Sequence, residues 1–146
     1  MKPMVILLAE DNEDDLFFMQ RAMRCAAIDS DLQIVRDGQA TIDYLAGIGE
    51  YADRTRHPPP QLLLLDLKLP LKSGLDVLAW LRQQARWCSL VVIVLSSSRE
   101  ARDIHAAYRL GANAYVVKPN QVSQLNEVLA AIRQFWLQVN QFDSAD

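Results

Sequence analysis

Four apolar runs in this 146-residue chain end in residues able to do chemistry. Met4-Val5-Ile6-Leu7-Leu8-Ala9 runs into Glu10 and Asp11, and Leu62-Leu63-Leu64-Leu65 runs into Asp66. Leu90-Val91-Val92-Ile93-Val94-Leu95 meets Ser96, and Tyr115-Val116-Val117 meets Lys118. Apolar runs without alternation are typical of parallel strands covered by helices on both faces. An aspartate inside such a strand would be costly, so Asp66 belongs at its C-terminal end. In a parallel sheet those ends share one edge, and ligands bind there. Three carboxylates gathered at that edge resist ionisation unless a cation compensates them. A hard divalent ion such as Mg²⁺ takes oxygen ligands and retains waters for exchange. With a metal on one side and the Lys118 ammonium on the other, Asp66 can carry a phosphoryl group. Positioning and charge neutralisation are most of what that transfer requires. Ser96 would donate its hydroxyl to a phosphoryl oxygen.

The elements that must position these groups alternate along the chain. After Glu10 and Asp11, the acids Glu13, Asp14 and Asp15 favour a helix N-terminus. That helix is expected over 14–27, with Leu16, Met19, Met23 and Ala26 on one stripe. Phe17 and Phe18 cannot both share the stripe, and are read as half-buried packing, the alternative being a partner contact. Leu32-Gln33-Ile34-Val35 alternates like a short strand, and Arg36-Asp37-Gly38 turns into a helix over 39–46. Residues 47–60, with two glycines and Pro58-Pro59-Pro60, predict a loop with a stiff end, read as a surface insertion. A helix over 74–84 would bury Leu75, Leu78 and Leu81. Ser97 with Glu100 matches a capping box for a helix beginning near Ser98, and Gly111 suits its C-terminal cap. The last helix, over 123–139, carries Leu125, Val128, Leu129, Ile132, Trp136 and Val139 at helical spacing. Five strands alternating with five helices predict an α/β domain, a parallel sheet wrapped on both faces.

Composition narrows the function classes. A hydrophobic content of 51% in one chain of this length supports a single domain over 1–146. With 15 basic and 18 acidic residues, a net charge of -3 offers no electrostatic footprint for nucleic acid. No apolar run reaches the roughly 20 residues of a membrane span, and no signal-peptide pattern opens the chain. Cys25 and Cys88 lack metal-type spacing and fit a reducing cytoplasm. His57 is read as a loop residue and His105 as a surface helix residue.

The acidic pair Glu10-Asp11, the segment Asp66-x-x-x-Pro70-x-x-x-Gly74, Ser96, Gly111-Ala112 and Tyr115-x-x-Lys118-Pro119 together resemble the receiver domains of two-component response regulators. Ser96 stands 30 residues after Asp66 and Lys118 a further 22 residues on, both at the family's spacing. The likeness covers nearly the whole chain and implies a flavodoxin-like sheet of order 2-1-3-4-5. It implies Asp66 as phosphoacceptor, and Asp11, Asp66 and the Lys68 carbonyl as Mg²⁺ ligands, with Glu10 acting through water. Lys118 would be the phosphate partner, and Ser96 with Tyr115 the switch pair. The partner so implied is a histidine kinase, and the chain catalyses only its own phosphorylation and dephosphorylation. More narrowly, the long loop before the Asp66 strand and Phe135-Trp136 resemble regulators paired with phytochrome-type kinases.

Lys68 and Ser98 each follow a site residue by two positions, which predicts that they flank the pocket and tune phosphoryl lifetime. With no effector segment after the last helix, output is expected through protein contacts. Phe135, Trp136 and Phe142 point to a homodimer face. Three other functions weigh less. Aspartate-nucleophile phosphatases need an acid two residues after the nucleophile, where Lys68 stands. A dinucleotide fold needs G-x-G-x-x-G where Glu10-Asp11-Asn12-Glu13 stands. A scaffold receiver that is never phosphorylated would normally have lost the acids or the lysine, and all are present.

Overall fold

The computed structural model describes residues 3–143. Strands β1 (Met4–Ala9), β2 (Ser30–Val35), β3 (Leu62–Leu65), β4 (Val91–Ser96) and β5 (Ala114–Val117) alternate with five helices. The helices are α1 (Glu13–Cys25), α2 (Gly38–Ala46), α3 (Gly74–Leu81), α4 (Ala101–Arg109) and α5 (Val122–Ile132). All strand pairs are parallel, in the order β2-β1-β3-β4-β5, as the resemblance implied.

The leucine run of β3 forms the middle of the sheet because both of its faces are covered. Leu63 and Leu65 join Leu7, Val92 and Val94 in a core closed by residues of α2, α3 and α4. Leu62 and Leu64 join Ile6, Leu8 and Ile93 in a second core, closed by Leu16 and Met19 of α1 and Leu125 and Leu129 of α5. Each of the β3 leucines is at most 1% exposed. Burying a side chain of that size stabilises the fold by about 1.5–3 kcal/mol.

Local capping sets the helix ends, and several differ from expectation. Asn12 caps α1 by accepting the Asp15 amide at 2.9 Å, so the helix begins at Glu13. It ends at Cys25 rather than 27, since Ala27 turns into the left-handed region with φ 55°. Likewise α3 ends at Leu81 rather than 84, with Arg82 as its cap. The capping box expected at Ser97 and Glu100 is not formed. Glu100 itself is the extended cap residue, and α4 starts only at Ala101. The capping box that does form is Ser73 with Asp76, opening α3.

The last helix changes character along its length. Past Ile132 it widens into a π-helix, Arg133–Val139. The wider turn shifts the apolar register. Leu137 joins Trp136 and Phe142 against the core, while Val139, expected on the buried stripe, is 62% exposed.

The 47–60 segment is packed rather than loose. The buried Tyr44 hydroxyl donates to the Pro58 carbonyl at 2.8 Å, and Arg54 donates to the Leu45 carbonyl at 2.9 Å. His57 sits edge-on to the rings of Tyr44 and Tyr51. Among the described residues, no helix is long and apolar enough to cross a membrane.

Close approach explains one glycine near Asp66. A Cβ at Gly74 would lie 2.3 Å from the Asp66 carbonyl oxygen. Only glycine lets α3 begin against the residue that carries the carboxylate. Forcing a methyl in at such a contact costs about 1–3 kcal/mol.

Candidate functional site

Backbone pairing carries the polar residues to one edge. The Glu10 amide donates to the Val35 carbonyl at 3.1 Å, and the Asp66 amide donates to the Ala9 carbonyl at 3.1 Å. The Lys118 amide donates to the Ser96 carbonyl at 2.8 Å. The sheet ladder is therefore continued by one residue past β1, β3 and β5, and the groups of four strands meet.

Lys118 is the hub of this edge. Its ammonium donates to Glu10 Oε1, to Asp66 Oδ2 at 2.9 Å and to Asp15 Oδ2 at 3.0 Å. Glu10 lies beneath it, 2% exposed, and its other oxygen accepts the amides of Asp11 at 3.0 Å and Asn12 at 3.3 Å. Asp66 is also buried, and its Oδ1 accepts the Lys68 amide at 3.2 Å. One carboxylate oxygen from each of Glu10, Asp11 and Asp66 falls within 4.8 Å of the others. Ligands about 2.0–2.1 Å from a shared Mg²⁺ lie within roughly 4.2 Å of each other, so small side-chain rotations close this set on a hard dication.

Ser96 and Tyr115 converge on one loop residue. Ser96 is fully buried, and its Oγ accepts the Ser98 amide at 3.2 Å. That bond leaves the hydroxyl proton available as a donor. The Tyr115 hydroxyl donates to the Ser98 carbonyl at 2.9 Å. The Ser98 side chain faces α4, donating to Asp103 at 2.5 Å and accepting the Glu100 amide at 3.3 Å. Lys68 keeps its side chain exposed.

Asp15 is the site residue that sequence reasoning missed. The acids of the first turn of α1 were explained as partners of the helix dipole. The sequence offers no separate signal for it, because an acid in the first turn of a helix already has a local reason in the helix dipole.

This arrangement perturbs its own titrations. Burial pushes Glu10 up to about 7, opposed by the Lys118 hydrogen bond and reinforced by the Asp66 charge. Burial alone would lower the Lys118 ammonium, but its bond to Glu10 and the Asp66 charge outweigh that and hold it protonated.

The class of protein follows from this fold and edge, and comparison agrees. Residues 6–130 match the response regulator receiver domain family, so the chain belongs to it. In particular, the response regulator Rcp1 of Synechocystis sp. is 38% identical over 136 residues, 93% of this chain and 90% of Rcp1. The phosphorylated cyanobacterial phytochrome response regulator RcpA has a similar structure, with a TM-score of 0.90 at 35% identity. That match covers 99% of this chain and 100% of RcpA. The Mn(2+)-bound form of Rcp1 matches with a TM-score of 0.87 at 37% identity, over 97% of this chain and 100% of that one.

The Glu10 shift has a measurable consequence in metal-free protein. Its carboxyl releases its proton near 4.5 in the unfolded chain but only near 7 in the fold. Across that window the folded state holds the extra proton, so stability falls as pH rises. Urea unfolding in EDTA from pH 4.5 to about 7 should show this fall in wild type and a flatter profile in Glu10→Gln. Equal slopes would place the titration on another group.

Proposed function

We propose that this chain is a single-domain response regulator that takes a phosphoryl group from a histidine kinase onto Asp66. The observation that carries the reading is the Lys118 ammonium, 2.9 Å from Asp66 Oδ2, beside an acidic set compact enough for a cation. An Asp66 carboxylate oxygen attacks the phosphorus of a phosphohistidine. The O–P bond forms as the N–P bond breaks, its electron pair leaves with the imidazole, and that ring takes up a proton from solvent. Mg²⁺, held by Asp11, Asp66 and the Lys68 carbonyl with Glu10 acting through water, would neutralise charge on the passing phosphoryl oxygens. Lys118 steadies the carboxylate before transfer and a phosphoryl oxygen after it. Ser96 offers its hydroxyl proton to another such oxygen.

The signal leaves through Ser98. A Ser96 hydroxyl drawn to the phosphoryl group loosens its hold on the Ser98 amide, and Tyr115 grips the carbonyl of the same residue. The switch is local hydrogen bonding, read out at α4 and β5. Such a protein's own chemistry is limited to gaining and losing the phosphoryl group, with Lys68 and Ser98 setting its lifetime.

A groove beside Lys118, between Asp15, Phe18 and Met19 of α1 and Asn120 and Gln121 before α5, supports docking of the kinase at this edge. The likeness to the phytochrome regulator RcpA favours a phytochrome-type kinase as donor. The unpaired, exposed Cys25 and Cys88 suit a cytoplasmic setting. Acetyl phosphate with Mg²⁺ should add one phosphoryl group to wild type by mass spectrometry, and none to Asp66→Asn. Decay of the same signal should change in a Lys68, Ser98 double variant. Undiminished modification of Asp66→Asn would move the acceptor elsewhere.

We infer further that output runs through a homodimer built on the C-terminal helix. Phe135 and Val139 are 51% and 62% exposed there, while Trp136 and Phe142 complete the core. Sedimentation should show a wild-type dimer that weakens in Phe135→Ala. A wild type that stays monomeric at high concentration, with and without phosphodonor, rules the dimer out.

A further inference from the structure

We propose that the groove between α2, the 3-10 turn Gly49–Tyr51 and Leu71 docks a protein partner through a basic, apolar segment. The backbone at Leu71 marks the place. The Lys72 amide donates to the Pro70 carbonyl at 2.8 Å, closing a tight turn with Leu71 at its tip. Leu71 is thereby held in the left-handed region, with φ 67°, a costly conformation for a bulky side chain. The surrounding fold imposes it. The same Pro70 carbonyl accepts the Gly38 amide at 3.1 Å. At that point α2 packs so closely that a Cβ on Gly38 would lie 1.8 Å from the Lys72 carbonyl oxygen. The outcome is a leucine side chain 79% exposed. Strain held in place by its surroundings clusters at ligand clamps and switches.

The groove beside Leu71 encloses about 250 Å³, lined by Ile48, Tyr51 and Leu71 and by the acids Asp37, Asp43 and Glu50. Ile48 is also exposed, at 53%. No lining residue is basic, and among the described residues none of the three acids pairs with a cation. Burial pushes the Tyr51 phenol up to about 12, and the charges of Glu50, Asp37 and Asp43 push the same way. All three acids are therefore felt at one ring.

Charge selects the occupant. Uncompensated acids repel nucleic acid and anionic lipid, and a second copy meeting this face symmetrically would set acid against acid. A peptide segment with Lys or Arg beside an apolar side chain complements both the acids and the exposed Leu71 and Ile48. Residues of α2 cover the opposite face of the sheet from α1 and α5. Such a partner can therefore sit here while a kinase occupies the groove beside Lys118. Docking at Leu71 does not depend on phosphoryl transfer to Asp66.

The test is fluorescence anisotropy with a short fluorescein-labelled helical peptide of leucine, alanine and lysine, and with its counterpart carrying glutamate for each lysine. Wild type should bind the lysine peptide, more weakly as salt rises, and should not bind the glutamate peptide. Leu71→Gly removes the side chain and relaxes the turn, so it should unfold at no lower temperature yet bind at least about fivefold more weakly. Glu50→Gln should weaken binding about twofold to fivefold, whereas Glu127→Gln, at an exposed acid of α5, should leave it unchanged. No binding by wild type, equal binding of the two peptides, undiminished binding by Leu71→Gly, or equal losses in Glu50→Gln and Glu127→Gln overturns the proposal.

Discussion

The Lys118 ammonium, donating to carboxylates of Glu10, Asp66 and Asp15, is the interaction on which the functional edge depends. Buried acids at neighbouring strand ends repel one another and resist ionisation. Breaking a buried ion pair by removing one partner is strongly destabilising. The strand order makes the geometry demanding, because β4 lies between β5 and β3. Adjacent strands sit about 4.8 Å apart, so the cation must reach across roughly two such spacings from its own strand. A long, flexible lysine side chain ending in a compact charge meets that need. Its amide, anchored to the Ser96 carbonyl, fixes the starting point of the reach.

The rest of the chain serves this edge. Two apolar cores clamp β3 from both faces and hold Asp66 at the point where the strand ends. Gly74 allows α3 to begin directly against the Asp66 backbone. The first turn of α1 delivers Asp15, capped by Asn12. Ser96 and Tyr115 both bond to Ser98, whose hydroxyl donates to Asp103 of α4, and this is the path the proposed switch would use. Asp66, Gly74, Asp15, Ser96, Ser98 and Tyr115 all lie within residues 6–130, the span that matches the receiver family.

Much of this was legible in the sequence, for physical reasons. Short apolar runs of four to six residues that end in polar groups read as buried strands, and in a parallel sheet their ends share one edge, so Glu10, Asp66, Ser96 and Lys118 were findable. Strand order was not, since alternation alone does not say which strands are neighbours. It came with the family resemblance. Asp15 escaped because its partner lies 103 residues away, and an acid in a first helical turn already has a sufficient local reason. The π-helical ending escaped because composition does not distinguish an i to i+5 bond from an i to i+4 bond. That difference moved Leu137 inward and Val139 outward. The capping error around Ser97 has a similar origin. Which residue caps α4 depends on the backbone angle at Glu100, and the pattern of serines leaves that open. The 47–60 segment read as a surface insertion because its anchor, Tyr44, belongs to the preceding helix.

The central claim, that Lys118 acts as charge compensation, can be tested apart from any signalling. Urea unfolding of wild type and Lys118→Met should be compared at mildly alkaline pH, in EDTA and in saturating Mg²⁺. The account predicts a loss on the order of 3–5 kcal/mol for the variant without metal, as for other broken buried pairs. It also predicts that Mg²⁺ narrows the gap, because a dication binds more tightly where the ammonium is missing. A gap of the same size in both conditions would mean that Lys118 matters for packing rather than charge, and would contradict the account.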